Sequence, residues 1–431
     1  MPRLLRILTI VSLTAAAVFT AGAIAGLREA PPVRPAGTTA VPADRQAQAI
    51  ARAQDRLKVL PRDHATWAAL GVAYVERARV TADPSLYPRA EGALRRSLSL
   101  RSSSEALVGL GALANARHEF AAARDHALAA LRLNEFSADA YGVLADAYTQ
   151  LGSSAAATRA VQKMLDLRPG LAAYARASYD LEQRGSLAEA TALMRRALDA
   201  AADPADIAFC RDQLGDLAWS RGDLAGASAE YAAGLAAAPT YQPLLRGKAR
   251  VDAASGRLAH ATAGAASVAQ RTPTPDTLLE YAVLLRVSGR AADADRQLDL
   301  AAAAHRVFEA NGGRDDLAGA QIALGRGDSR TAVRLAESEL SRRPFLEVAD
   351  VLGQALHAAG RDREALGYAR RAASGAPSAA YAYHLATVAL SLGDRSTALT
   401  QLRRVRELNP YFSPADGPTA ARALAALEAR S

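Results

Sequence analysis

Residues of the types that carry chemistry are few in this chain, and their spacing favours no reaction. The single cysteine, Cys210, excludes an internal disulfide framework and a multi-cysteine metal site. The segment Gly109-Leu-Gly111-Ala-Leu-Ala114 imitates a dinucleotide-binding fingerprint, but no strand is predicted before it. No histidine has a partner at metal-ligand spacing; the seven are His64, His118, His126, His260, His305, His357 and His384. We therefore predict no catalytic, cofactor-binding or metal site.

The composition points to closely packed helices. Half of the 431 residues are hydrophobic and only 5% are aromatic, so alanine and leucine must supply most of the buried surface. The formal net charge is +8, and the only lysines among the 52 basic residues are Lys58, Lys163 and Lys248. No basic run concentrates this charge, and aromatic residues for base stacking are scarce. The composition therefore argues against a nucleic-acid partner.

The N-terminus has the features of a targeting segment. Arg3 and Arg6 precede an uncharged, mostly apolar run over residues 7–27. This pattern is typical of a secretory signal, and its length also suits a membrane anchor, so residues 1–27 are predicted to be one or the other. Residues 28–44 are proline-rich and are predicted to form an extended linker. Both alternatives place the rest of the chain outside the cytoplasm, either secreted or anchored to the cytoplasmic membrane.

A repeat of about 34 residues organises the remainder. Its turn glycines recur at nearly equal intervals: Gly152, Gly185, Gly222, Gly256, Gly289, Gly327, Gly360 and Gly393. An alanine follows each glycine five residues later, a small residue precedes it by seven, and a proline follows six of them by seventeen. We predict that the glycine turns the chain between two helices, that the two small residues face each other, and that the proline ends the second helix.

The pattern resembles the tetratricopeptide repeat family. Trp67, Leu70, Gly71 and Tyr74 match the first helix of that family's repeat, and Trp67 takes its core aromatic position. A complete repeat is matched by Tyr141, Leu144, Ala145, Tyr148, Ala157 and Pro169. The chain departs from the pattern at an insertion around residues 80–88 and at a long second helix that continues through residues 301–310.

The resemblance implies an all-α fold, a right-handed α-solenoid with flanking cap helices. Residues 45–62 would form the N-terminal cap, residues 63–410 an array of about ten repeats, and residues 411–431 the C-terminal cap. The repeats are predicted to begin near His64, Ser104, Ala138, Leu171, Ala208, Gln242, Pro275, Gly313, Leu346 and Ala379.

The resemblance also implies a concave groove lined by the first helix of each repeat. Transferring the family's register gives the candidate groove residues Tyr179, Glu182, Asp212, Asp216, Trp219, Arg246, Arg250 and Arg286. Tyr179 and Trp219 would anchor a partner, and the two arginines of the sixth repeat would bind a carboxylate. The alternative is a self-neutralising inner face, in which Asp216 and Glu182 pair with these arginines.

The predicted function is therefore a non-catalytic scaffold of the cell envelope that binds a peptide or protein in the groove. The alternative is an electrostatic binder of anionic cell-wall polymer or lipid headgroups. Contact with a membrane would come through the N-terminal segment if it is not cleaved.

Overall fold

The computed structural model describes residues 45–429, which fold into α-helices and contain no strand. The predicted signal or anchor and the proline-rich linker lie outside the described residues. The helices are α1 Arg45–Val59, α2 His64–Thr81, α3 Tyr87–Leu100, α4 Ser104–Ala116, α5 Phe120–Leu133, α6 Ala138–Gln150, α7 Ser154–Leu167, α8 Leu171–Gln183, α9 Leu187–Asp199, α10 Pro204–Ser220, α11 Leu224–Ala237, α12 Gln242–Ala254, α13 Leu258–Arg271, α14 Pro275–Val287, α15 Ala291–Ala310, α16 Asp316–Gly325, α17 Ser329–Arg342, α18 Leu346–Ala358, α19 Asp362–Gly375, α20 Ala379–Ser391, α21 Arg395–Leu408 and α22 Gly417–Glu428.

Helices α2 to α21 pair in sequence order as hairpins, and glycine makes most of the turns. Each of the eight predicted turn glycines has a positive φ, between 68° and 79°. Such angles are easy for glycine and costly for residues that carry a Cβ atom. In the α4–α5 turn the equivalent residue is His118, which takes a φ of 61°. Its ring stacks on Phe120 at a centroid distance of 5.5 Å, a contact that helps to hold this conformation.

Small residues form the seam of each hairpin, as predicted. All eight alanines that follow the turn glycines by five residues are buried. In the α8–α9 hairpin, the Ser178 hydroxyl donates a hydrogen bond of 2.8 Å to the backbone carbonyl of the seam residue Ala190. In the α18–α19 hairpin, a Cβ atom on Gly353 would lie 3.3 Å from the backbone nitrogen of Ala369. The two helices of a pair therefore approach too closely for large side chains.

Two helices begin at residues other than those predicted. Helix α10 starts at Pro204, four residues before the predicted Ala208, because a proline fits the first turn of a helix. Helix α16 starts at Asp316, three residues after the predicted Gly313. The early insertion contains a 3-10 helix, Pro84–Leu86, whose first turn is capped by the Asp83 carboxylate.

The array closes on itself after one superhelical turn. A Cβ atom on Gly152 would lie 2.8 Å from the backbone oxygen of Pro344, and one on Gly185 would lie 2.6 Å from Cγ of Pro377. The backbone of Gly222 meets Asn409 in the same way. Turn glycines of the third to fifth repeats thus pack on the segments that follow the second helices of the last three repeats. The repeat pattern does not predict these contacts.

The first helix of each hairpin lies toward the inside of this superhelix. Helix α6 buries eight of its residues, including Val143, Leu144 and Gln150, whereas its partner α7 buries only one face. The same contrast holds for α18 and α19. Among the described helices, none combines the length and apolar character needed to cross a membrane.

Candidate binding site

The predicted groove residues lie on the inner helices of neighbouring repeats. Tyr179 and Glu182 are on α8, and Asp212, Asp216 and Trp219 are on α10. The two arginines are on α12 and Arg286 is on α14. The structure brings Asp216, Trp219, Arg246 and Arg250 together. It places Arg286 elsewhere, with a hydrogen bond of 3.0 Å to Asp295 on the second helix of its own hairpin.

The two groove arginines are engaged within the chain. Arg246 donates two hydrogen bonds to the carboxylate of Glu280 on α14, at 2.7 and 2.6 Å. Arg250 pairs with Asp216, which also accepts a hydrogen bond of 2.7 Å from the Tyr231 hydroxyl. The pairing of Arg250 with Asp216 is the one that the self-neutralising alternative named. The partner of Arg246 is Glu280 and not Glu182, because Glu280 stands one repeat further along the inner face.

Trp219 is enclosed by this arrangement. Its side chain and backbone are only 6% exposed, and the Arg250 guanidinium lies 5.6 Å from the ring centroid. The Asn409 amide donates a hydrogen bond of 2.8 Å to the Trp219 carbonyl from the end of the array. Trp219 therefore connects successive superhelical turns, and in this conformation little of its surface is open to a partner.

Polar pairs that bridge the inner helices of adjacent repeats continue along the interior. Arg176 donates to both oxygens of Asp146, at 3.0 and 2.9 Å, and both residues are buried. Further along, Nδ1 of His384 lies 2.9 Å from the Asp350 carboxylate. Buried charges of this kind are stable only when they are paired, so the interior ion pairs fix how each repeat sits on the next.

Glu182 is an exception to this pairing. Its carboxylate has no hydrogen-bond or ion-pair partner among residues 45–429. Burial, together with the nearby Asp216 carboxylate, raises its pKa from 4.5 to about 7. Burial also raises the pKa of Glu347 to about 7, although the Arg343 guanidinium lies 3.4 Å away. Both carboxyl groups are therefore poised to change charge near neutral pH.

Two cavities open from the interior. The smaller, of about 50 Å³, lies between α12 and α14 beside Trp219, Arg246 and Arg250, and its walls are mostly apolar. The second, of about 150 Å³, lies between successive superhelical turns, and we call it the interturn cavity. Its lining includes Tyr179, Glu182 and Trp219 from the first turn and Phe345, Glu347, Asp350, Tyr381 and Phe412 from the second.

A larger crevice opens to solvent between the first repeat and the α13–α15 region. We call it the insertion crevice, because one wall is the inserted segment Ala82–Pro84 and the other is the long helix α15. Its volume is about 940 Å³. Tyr87 and Phe308 meet edge to face at its base, with ring centroids 6.2 Å apart. Leu300 and Val307 line it and are each 53% exposed.

The insertion crevice joins the two segments that depart from the repeat pattern. The repeat pattern shows both departures, but it does not predict that residues more than 200 positions apart form one surface. It also missed Glu280, Gln321 and Glu347, which contribute to the interior. The one signal that could have identified Glu280 is its position, a single repeat length after Arg246.

Comparison with known proteins finds distant likenesses only. No protein-family model and no curated protein matches the chain. A tetratricopeptide repeat protein from Parabacteroides merdae ATCC 43184 is 16% identical, over 60% of this chain and 98% of its own, with a TM-score of 0.36. The APC/C hetero-tetramer Cut9-Hcn1 is 14% identical, over 89% of this chain and 93% of its own, with a TM-score of 0.41. MamA is 29% identical, over 36% of this chain and 88% of its own, with a TM-score of 0.28.

TM-scores this low do not establish a shared fold, so the fold is assigned from the geometry of the chain itself. Successive helical hairpins, glycine turns with positive φ and a seam of buried alanines are all present. The described residues therefore form an all-α array of helical hairpins, the architecture that the resemblance to tetratricopeptide repeats predicts. Its superhelix differs from an open groove in two respects: the inner face carries its own ion pairs, and the two turns meet through Gly152, Gly185 and Gly222.

Proposed function

We propose that the protein is a non-catalytic scaffold of the cell envelope that binds a segment of another protein. The observation that carries this proposal is the insertion crevice, where exposed apolar side chains line a concavity of about 940 Å³. Exposed apolar surface in a concavity is typical of sites where a partner docks. The predicted groove on α8 to α14 is a weaker candidate in this closed form, because its arginines already bind carboxylates of the chain.

The chemistry of the crevice indicates what kind of segment it would accept. Leu300 and Val307 offer apolar contact, and Tyr281 and Phe308 offer aromatic rings. Gln270 on α13 and Gln297 on α15 also line the crevice and offer hydrogen-bonding groups to a peptide backbone. The expected partner is a peptide segment that presents apolar side chains.

The crevice can be tested by site-specific photo-crosslinking in cells that express the full chain. A crosslinking residue in place of Leu300 or Val307 should give a single discrete adduct. The matched control is Leu133 or Phe136, which are exposed apolar residues outside the crevice. The double substitution Leu300→Glu and Val307→Glu should reduce copurification of the partner at least about tenfold, an effect of about 1.4 kcal/mol. Equal crosslinking at the control positions would contradict the crevice proposal.

The cell-envelope part of the proposal rests on the N-terminal sequence, with its two arginines, apolar run and proline-rich stretch. Fractionation of cells should find the full chain outside the cytoplasm, and removal of residues 1–27 should retain it inside. If copurification is instead unaffected by the crevice substitutions and is lost only at high salt, that outcome would favour the alternative, an electrostatic binder of anionic polymer or lipid.

A further inference from the structure

The interturn cavity is lined by elements from both turns of the superhelix. Helices α8 and α10 contribute one wall, and α16, α18 and α20 contribute the other. Trp219, Phe345 and Phe412 are buried, whereas Glu182 and Gln183 are partly exposed, so the volume of about 150 Å³ is an interior recess that is partly open to solvent. This volume has room for several water molecules or for one small ligand.

Carboxylates and aromatic rings line both walls of the interturn cavity. Glu182, Glu347 and Asp350 line it, and of these Glu182 lacks a partner among the described residues. Tyr179 and Tyr381 stand close to the acids: burial raises the pKa of both hydroxyls, and the Glu347 carboxylate raises the pKa of each further. A carboxylate gives charge complementarity to a cation, and a ring face attracts the same cation through its quadrupole.

An independent observation indicates a ligand in the same place. Gln321 on α16 is only 5% exposed and lines the cavity, yet its side chain has no hydrogen-bond partner among residues 45–429. Its amide atoms remain accessible from the cavity, so a ligand bound there can use their hydrogen-bonding capacity. The amide oxygen is an acceptor, so an N–H donor in the cavity would satisfy it.

We propose that the interturn cavity binds a small organic ammonium group, held by Glu182 and the Gln321 amide between aromatic rings. The group belongs either to a free aliphatic amine or to a lysine side chain of a peptide. A metal ion fits less well, since the described residues contain no group of three ligating side chains placed to hold one. An anion would be repelled by the carboxylates of Glu182, Glu347 and Asp350.

Binding at this site is linked to pH. Glu182 faces Asp216, and Glu347 faces Arg343, Asp276, Asp315 and Asp350, so the neighbours are mostly acidic. Asp350 is further paired with His384. As the pH rises through about 7, Glu182 and Glu347 lose their protons and attract an ammonium group more strongly. The affinity is therefore expected to increase between about pH 6 and pH 8.

Titration calorimetry on the full chain tests the proposal with butylammonium chloride as the probe. We expect saturable binding of one equivalent, with at least about tenfold weaker binding by the Glu182→Gln variant, which corresponds to about 1.4 kcal/mol. Butan-1-ol has the same carbon chain without the charge and should not bind. Glu105→Gln removes an exposed carboxylate on α4 and should bind the probe as the unmodified chain does.

A second arm distinguishes the two sources of the ammonium group. A short peptide with one lysine is compared with the same peptide carrying norleucine. Tighter binding of the lysine peptide than of butylammonium identifies a peptide ligand, and the reverse order identifies a free amine. No binding of either probe up to about 10 mM, or equal binding of butan-1-ol, would overturn the proposal. Because the site is separate from the insertion crevice, neither result depends on the scaffold function.

Discussion

The turn glycines differ in what surrounds them, although their backbone angles are nearly the same. Gly360 has a φ of 77°, and a Cβ atom there would meet nothing within 4 Å. Gly152 has a φ of 68°, and its Cβ atom would lie 2.8 Å from the Pro344 carbonyl in the next superhelical turn. The same substitution therefore separates backbone strain from the contact between turns.

We expect Gly360→Ala to cost about 1–2 kcal/mol, the penalty of a left-handed conformation in a residue with a Cβ atom. Gly152→Ala should cost a further ~1–3 kcal/mol, because the carbonyl of Pro344 must also move. Chemical denaturation of the two variants in parallel measures this difference. Equal costs would show that the turns do not touch at Gly152 in solution.

Glu182 gives a pH-dependent prediction for stability. Its pKa is about 7 in the folded chain and 4.5 as an ordinary glutamate, so the folded state holds a proton that the unfolded state has lost between these values. Stability from this group is therefore present below the lower value and is lost as the pH rises through the higher one. Glu182→Gln stays neutral and should be more stable than the unmodified chain above about pH 7, by at most about 3 kcal/mol.

Thermal unfolding midpoints over a pH series check the sign of this effect. The midpoint of Glu182→Gln should exceed that of the unmodified chain at high pH, and the gap should close as the pH falls below about 4.5. The exposed Glu105 on α4 provides the control, and Glu105→Gln should give a gap that does not change in this way. A Glu182→Gln midpoint that is lower at high pH would mean that the carboxylate has a stabilising partner.

At the scale of elements, the repeat pattern predicted most of the helical hairpins. Eight of the first helices begin at the residue predicted, including α6 at Ala138 and α20 at Ala379, because glycine, alanine and proline act locally. The two misplaced starts, α10 and α16, lie in the two longest intervals between successive turn glycines. The lengths of these segments depend on packing between helices. The spacing of the repeat residues contains no information on that packing, so it does not predict where α10 and α16 begin.

The last turn of α15 illustrates an element whose role is non-local. Phe308 in that turn packs on Tyr87, and its ring lies 5.4 Å from that of His118. Val307, its neighbour, lines the open insertion crevice. The long second helix thus supports the inserted segment of the first repeat.

We expect Phe308→Ala to destabilise the first repeat while α15 itself stays helical. The loss of a partly buried aromatic contact should cost about 1–3 kcal/mol. Hydrogen exchange should become faster in residues 83–93, which lie more than 200 positions away in sequence. Val307→Ala removes an exposed neighbour and should leave this exchange unchanged. Exchange that rises only within α15 would argue that the two departures from the repeat do not support each other.

At the scale of the whole molecule, closure of the superhelix decides which surfaces are accessible. The small rotation between repeats accumulates along an array, so the position where the second turn meets the first depends on every seam. No local sequence pattern specifies the accumulated rotation between repeats. The sequence therefore predicted a groove on α8 to α14 but not the contacts that enclose it. Arg246 and Trp219 were placed on the inner face from the register. Their partners Glu280 and Asn409 emerge only from the assembled array.

Two side chains provide hydrogen bonds that join the turns. Nε of Arg343 donates to the Gln150 side chain at 2.7 Å, and the Asn409 amide donates to the Trp219 carbonyl at 2.8 Å. Both bonds are buried and span about 190 positions in sequence. Loss of each should cost about 1–3 kcal/mol, because a buried acceptor is left without its donor.

We expect the double variant Arg343→Ala and Asn409→Ala to open the superhelix without unfolding its hairpins. The helix content measured by circular dichroism should stay the same, because each hairpin keeps its own seam. The radius of gyration from small-angle scattering should increase, and Trp219 should become accessible to a fluorescence quencher. The matched control, Arg361→Ala and Arg403→Ala, removes two exposed arginines that pair with Glu364 and Glu428. A variant that stays compact and keeps Trp219 protected would show that the glycine and proline contacts close the array without these bonds.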